Sequence, residues 1–244
     1  MTWDLNIGIW SLSEAVDKTM SEEAEKRGKT NGIGLFGGTF NPVHLGHLRG
    51  AEDIREAFGL KKIIFIPAAN PPHKTREGLV DAGHRLQMVK LATSGNPYFS
   101  VSDVELKRAG KSYSIDTIRY FRERKQGDLF FILGGDAFME IETWKEFRRL
   151  FSLCHYVVMT RPRQQPMAGA PRLPASLSRD FRLSPETGEW IHLSGYKVSF
   201  KEIDYLDISS TKIRNLVRKR KSIRYLTLPD VEAYIHGHGL YRRG

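Results

Sequence analysis

Two histidines three residues apart, His44 and His47, follow a glycine pair in Gly37-Gly38-Thr39-Phe40-Asn41-Pro42-Val43-His44-Leu45-Gly46-His47. One helical turn separates them, so both imidazoles share a face. The glycines let an anion approach the backbone closely. A helix starting here offers unpaired N–H groups and the positive end of its dipole to the same anion. That combination suits the handling of phosphates. Two plainer readings stay open on these residues alone. One is zinc ligation, although nothing nearby completes a ligand set of suitable spacing. The other is a pair of ordinary surface histidines. A second cluster, Ser209-Ser210-Thr211 with Arg214 one turn on, opens another predicted helix. Alone, it reads as a hydroxyl-capped helix start.

The elements that must carry these residues follow from the hydrophobic pattern. A short apolar run, 33–36, precedes the glycine turn, and Leu48, Ala51, Ile54 and Phe58 mark one face of the helix after it. Residues 61–66 predict the next strand, stopped by Pro67 and followed by a loop over 68–74. A helix is predicted over 81–94, with Leu86, Val89, Ala92 and Thr93 inward, and Gly95-Asn96-Pro97 breaks it. Then come a strand around Phe99 and Val101, a helix over 114–125 and a strand over 129–133. One continuous helix is predicted over 137–151, with Phe138, Ile141, Trp144 and Phe147 aligned, before a fifth strand over 155–159. Strands that are apolar throughout belong to sheets covered on both faces. The expected fold is therefore α/β: a Rossmann-like, doubly wound, mostly parallel sheet with helices on both faces and a small C-terminal helical part. Ligands of such sheets bind beyond the strand C-termini, so 37–41, 70–74 and 134–136 should line one rim.

From Arg161 the pattern stops. Prolines at 162, 166, 171, 174 and 185 predict a Pro-rich surface excursion over 161–190. A strand over 196–203, the helix start at 207–214 and a last helix from Pro229 to 237–239 follow. Residues 1–30 read as an N-terminal extension, helical or disordered, with a charged helix over 13–27 and Met20 as a second candidate start. Residues 31–244 read as one domain.

Composition narrows the class. Of 244 residues 40% are hydrophobic, and 38 Lys and Arg against 28 Asp and Glu leave a formal charge of +10. That balance favours anionic partners. The single cysteine, Cys154, excludes an internal disulfide and a cysteine-based metal cage, and a reducing cytoplasm is expected. No run of about 18 apolar residues is present, so no membrane span is expected. Gly32-Ile33-Gly34-Leu35-Phe36-Gly37 fits the dinucleotide pattern GxGxxG, but Lys29-Thr30-Asn31 rather than a strand precedes it. The basic run Arg218-Lys219-Arg220-Lys221 keeps a nucleic-acid-binding module as an alternative from another class.

The segment GGTFNPVHLGH at 37–47 resembles the HxGH signature of the nucleotidyltransferase superfamily, and ISSTKIR at 208–214 is similar to its second signature. Four further stretches resemble bacterial nicotinate-nucleotide adenylyltransferases: NPPHK at 70–74, SYSIDT at 112–117, LGGDAFMEIETW at 133–144 and LPDVEAYIHGHGLY at 228–241. The likeness spans 32–241 apart from the Pro-rich excursion. It implies transfer of the adenylyl group of ATP to nicotinate mononucleotide, giving deamido-NAD and pyrophosphate. It implies catalytic roles for His44 and His47 at the ATP phosphates. Gly37, Gly38, Thr39, Phe40, Ser209, Ser210, Thr211 and Arg214 would also hold ATP. His73, Lys74, Ser114, Asp136 and Trp144 would hold the mononucleotide, with Trp144 stacked on the pyridine ring, Ser114 at its carboxylate and Asp136 at ribose hydroxyls. Mg²⁺ is expected on the ATP phosphates, with no protein ligand named. Neither nucleic acid nor membrane is an expected partner, and a homo-oligomer is left open. Within the superfamily, nicotinamide mononucleotide or another phosphate acceptor such as phosphopantetheine is the alternative substrate. The chain departs from the commonest pattern at Asn41, Ser114 and Gly135, where aspartate, threonine and alanine are frequent.

Overall fold

The computed structural model describes residues 31–72, 78–124, 127–161 and 173–242. The expectations for the 1–30 extension with Met20, for His73 and Lys74, and for 162–172 lie outside these residues. Six strands form the parallel part of one sheet: β1 (Ile33–Gly38), β2 (Lys62–Pro67), β3 (Phe99–Val101), β4 (Leu129–Gly134), β5 (His155–Thr160) and, late in the chain, β8 (Lys197–Glu202). Two short antiparallel strands, β6 (Phe181–Leu183) and β7 (Trp190–His192), extend it beyond β8. The order is β3-β2-β1-β4-β5-β8-β7-β6. The chain winds outward from β1 to β3 and then restarts at β4 on the other side of β1. The crevice at the ends of β1 and β4 is thus the switch point where ligands of such sheets bind.

Successive strand residues feed two separate cores. Leu35, Ile64, Phe131 and Tyr156 point to one face, where they meet Ile115 and Ile118 of α4 (Ser114–Arg124), Val104 of α3 (Val104–Lys107) and Phe138 of α5 (Gly135–Met139). Phe36, Phe65, Ile132 and Val157 point to the other face. There they meet α1 (Leu45–Ala57), α2 (Ala82–Thr93), α7 (Ser210–Arg218) and α8 (Pro229–Gly237) through Ile54, Val89, Ile213 and Ile235. This is the two-faced α/β sheet expected from the apolar strands. Gly34 lies where neighbouring strands crowd the core: a Cβ there would collide with Ile63 and lie 2.8 Å from Ile132 Cδ1.

Two expectations need correction. The continuous helix over 137–151 is a series of short turns: α5, a 3-10 turn at Ile141–Thr143, an extended Trp144, a left-handed Glu146 (φ 53°) and α6 (Phe147–Leu150). The Thr143 hydroxyl donates to the Glu140 carbonyl at 2.7 Å, competing with the helical ladder. Phe138, Ile141 and Leu150 still reach the core, which is why the apolar spacing looks helical. The 161–190 stretch, within its described part, is not all surface. Leu173, Leu177 and Phe181 are buried, Ala175–Leu177 is a 3-10 turn, and β6 and β7 widen the sheet. Pro174 precedes that turn rather than ending structure. Three-residue strands are too short to show an alternation.

Candidate active site

The loop after β1 is held from several sides. Phe40 takes a left-handed conformation (φ 48°) and buries its ring edge-on against Phe36 at 5.6 Å. Three successive carbonyls then accept bonds from far down the chain. Asn41 O accepts from Arg214 Nη1 at 2.9 Å, Pro42 O from Ser210 Oγ at 2.7 Å, and Val43 O from Thr227 Oγ1 at 3.1 Å. The Asn41 side chain completes the clamp. Its Oδ1 accepts from Tyr241 Oη at 2.9 Å, and its Nδ2 donates to Gly78 O at 2.8 Å. An aspartate could accept the first bond but not donate the second. The asparagine therefore has a physical account here.

His44 is the N-cap of α1, in extended backbone, and is only 7% exposed. Burial pulls its pKa down to about 4, so it is neutral at physiological pH. Its Nδ1 has no hydrogen-bond partner among the described residues. The His47 ring stacks on it at 3.6 Å, and His47 Nδ1 accepts from the His44 backbone N–H at 3.2 Å. An accepting Nδ1 in a neutral imidazole leaves the proton on Nε2, so His47 presents an Nε2–H donor. Gly46 keeps room for this pair: a Cβ there would stand 3.2 Å from His44 Nδ1.

The second motif meets the first directly. Ser209 caps α7, its hydroxyl accepting from the Lys212 N–H at 3.2 Å, as expected of an ordinary serine cap. Ser210 holds Pro42, two residues ahead of the α1 cap, so the N-termini of α1 and α7 lie side by side. Arg214, partly buried, reaches both Asn41 O and Thr211 Oγ1, the latter at 3.2 Å. Two positive helix ends, two imidazoles and a guanidinium meet around residues 41–47, just past the glycine pair. Thr39 follows them and lends its carbonyl to Arg85.

The other predicted residues sit on neighbouring elements. Asp136, at the start of α5 beyond β4, is almost fully exposed and pairs with Arg161 at 3.2 Å. Ser114 opens α4, half-buried. Trp144 is half-buried against the core, edge-on to Phe131 of β4 at 6.2 Å. Two crossed ion pairs link the elements of Ser114 and Trp144: Lys145 to Asp116 at 3.2 Å and Arg119 to Glu146 at 2.8 Å. Hydrogen bonds from Arg119 and Arg149 hold the Glu146 carboxyl at about 2.

Sequence reasoning overlooks Arg85, Glu105, Thr227 and Tyr241. Arg85 lies in the inward stripe of α2 with Met88, Val89 and Ala92, and a charge in an apolar stripe is the signal that could have found it. Glu105 is buried and accepts from Thr117 Oγ1 at 2.6 Å, and burial pushes its carboxyl up.

A family model described as cytidylyltransferase-like matches residues 35–216. A protein of Pelobacter propionicus, named as a probable nicotinate-nucleotide adenylyltransferase, is 45% identical over 210 residues, covering 86% of this chain and 97% of its own. One of Geobacter sulfurreducens with the same name is 46% identical over 209 residues, covering 85% and 97%. This chain belongs to the nicotinate-nucleotide adenylyltransferase family. Among solved structures, the Plasmodium falciparum nicotinic acid mononucleotide adenylyltransferase complexed with NaAD matches with a TM-score of 0.65 at 19% identity, covering 87% of this chain and 98% of its own. At that identity the likeness speaks for the fold, and it agrees with the sheet described above. No described helix of this adenylyltransferase-family chain is long and apolar enough to cross a membrane.

Proposed function

We propose that this chain transfers the adenylyl group of ATP to nicotinate mononucleotide, forming deamido-NAD and pyrophosphate. The carrying observation is the junction of the two motifs, Ser210 on Pro42 and Arg214 on Asn41. It sets paired imidazoles and two helix N-termini at the switch point of the sheet. An oxygen of the mononucleotide phosphate attacks the α-phosphorus of ATP, the bond to the bridging oxygen breaks, and pyrophosphate leaves with that electron pair. The nucleophile is already an anion, so no protein base is required, and the protein's work is positioning and charge stabilisation.

In this reading His47 donates from Nε2 to a phosphate oxygen. His44, neutral and desolvated in the free protein, gains basicity when the triphosphate arrives and donates as charge builds in the transition state. Arg214 adds fixed positive charge, and Gly37, Gly38, Thr39 and Phe40 lend their backbone to the phosphates. Ser209, Ser210 and Thr211 line the α7 end of the same cradle. Ser114, Asp136 and Trp144, with His73 and Lys74, form the mononucleotide side. The ATP side of the rim offers imidazole, hydroxyl, guanidinium and backbone N–H, its mononucleotide side adds the single carboxylate of Asp136, and no group of three metal-binding side chains occurs among the described residues. That donor set is poor for Mg²⁺, a hard cation that prefers carboxylate and phosphate oxygens. The ion is therefore assigned to the substrate, carried in on the ATP phosphates. A cytoplasmic setting belongs to the same proposal. It is supported by the single cysteine, Cys154, which leaves no pair for an internal disulfide.

Purified protein given ATP, Mg²⁺ and nicotinate mononucleotide should release pyrophosphate and form the dinucleotide, with a lower kcat/KM for the nicotinamide analogue. Absence of pyrophosphate with both mononucleotides would overturn the assignment.

A further inference from the structure

We propose that Arg85 is a positioning residue that sets the ATP-side loop in register with the mononucleotide-side wall. The inference rests on the adenylyltransferase reading. Arg85 lies on α2 and is fully buried, and it makes no ion pair among the described residues. Among the described residues its guanidinium bonds to backbone carbonyls alone. Nη1 donates to Thr39 O at 2.9 Å and to Ala68 O at 2.5 Å, Nη2 to Ala69 O at 3.1 Å, and Nε to Val80 O at 3.0 Å. Thr39 is the first residue past β1, in the glycine loop. Ala68 and Ala69 are the first two past β2. Asn70, next in line, exchanges two bonds with Ser112: its N–H donates to Ser112 Oγ at 3.1 Å, and its carbonyl accepts from the Ser112 N–H at 3.0 Å. Ser112 stands two residues before Ser114. A single planar fork thus joins the loop proposed to cradle ATP to the wall proposed to hold the acceptor.

Asp81 and Glu105 favour the Arg85 charge electrostatically without pairing with it directly, so its burial is still costly, and an apolar residue could fill the same stripe of α2 without that cost. The planar fork is what an apolar residue lacks, and lysine lacks it too. Loss of the fork leaves each substrate its own contacts and disturbs their mutual placement. Misplacement of about 1 Å between reacting groups costs about 100-fold in rate.

The test is Arg85→Lys, assayed by pyrophosphate release, with the folded fraction at assay temperature measured by urea titration. The expected result is a kcat per folded molecule at least tenfold below the parent, with KM for ATP and for the mononucleotide each within threefold. A smaller loss of kcat, or a loss expressed in either KM, overturns the proposal; a purely stabilising role would lower the folded fraction alone. Should the variant not fold, the parent protein labelled with ¹⁵N-arginine decides. Arg85 side-chain signals that move when a non-hydrolysable ATP analogue and the mononucleotide bind together, beyond the sum of their separate shifts, support the role. Signals that do not do so overturn it. A parent that releases no pyrophosphate is a failure of the functional reading, not of this one.

Discussion

His44 combines burial with a ring nitrogen that has no hydrogen-bond partner among the described residues, and each has a measurable result. Its folded-state pKa of about 4 lies below the ordinary 6.5. Between those values the unfolded chain binds a proton that the folded chain refuses, so stability falls as pH drops from about 6.5 to about 4 and is fully present above that window. The ceiling for this one group is about 3 kcal/mol. His155 and His192 are also lowered by burial and contribute in the same direction. Urea titrations at pH 7.5 and 4.5 should therefore show a smaller acid loss in His44→Asn than in the parent. Kinetically, His44→Ala and His47→Ala should each lower kcat/KM by about 100-fold or more, the range for losing one donor to a developing charge, with little loss of melting temperature. Steady-state assays beside thermal melts check this. The histidines were legible because residue type and three-residue spacing are local. Arg85 and Tyr241 were not, because their partners lie up to 46 and 200 residues away.

Among elements, the parallel strands were legible from apolar runs and the start of α7 from its capping hydroxyl, whereas the one-turn α3 was not. The turns between β4 and β5 were not. An apolar residue every three or four positions is produced equally by a helix and by successive short turns that each dip into the core. Trp144 is released from a helix face by that difference, while its edge-on contact with Phe131 keeps one side on the core. The junction of α7 with the glycine loop could be suspected from two motifs but not located. Ser210→Ala removes the bond to Pro42, and the expected outcome is a stability loss of about 1 kcal/mol with KM for ATP raised several-fold and KM for the mononucleotide unchanged. Urea titration and initial-rate measurements separate the two effects.

For the whole molecule, alternation of strands and helices was enough to expect a doubly wound sheet with its site at the strand ends. The antiparallel extension was missed because β6 and β7 are three residues each and lie in a stretch dense in prolines. That extension is part of the core, where Phe181 packs on Phe151 at 5.3 Å, and β6 lies five strands away from β1 and its paired histidines. Phe181→Ala should cost about 3 kcal/mol or more in stability while kcat/KM per folded molecule stays at the parent value. Denaturant midpoints and rates on the same preparation test both parts. The bond from Tyr241 to Asn41 carries a further consequence, concerning synthesis. A ribosome adding about 5–20 residues per second needs roughly 10–40 s to travel from position 41 to position 241. Through that interval the glycine loop lacks its last clamp, as well as the Ser210, Arg214 and Thr227 bonds for most of it. A nascent chain stalled before position 210 thus carries both histidines but none of the bonds from Ser210, Arg214, Thr227 and Tyr241 that hold their loop, and the loop is fully clamped only once the last helix has been made.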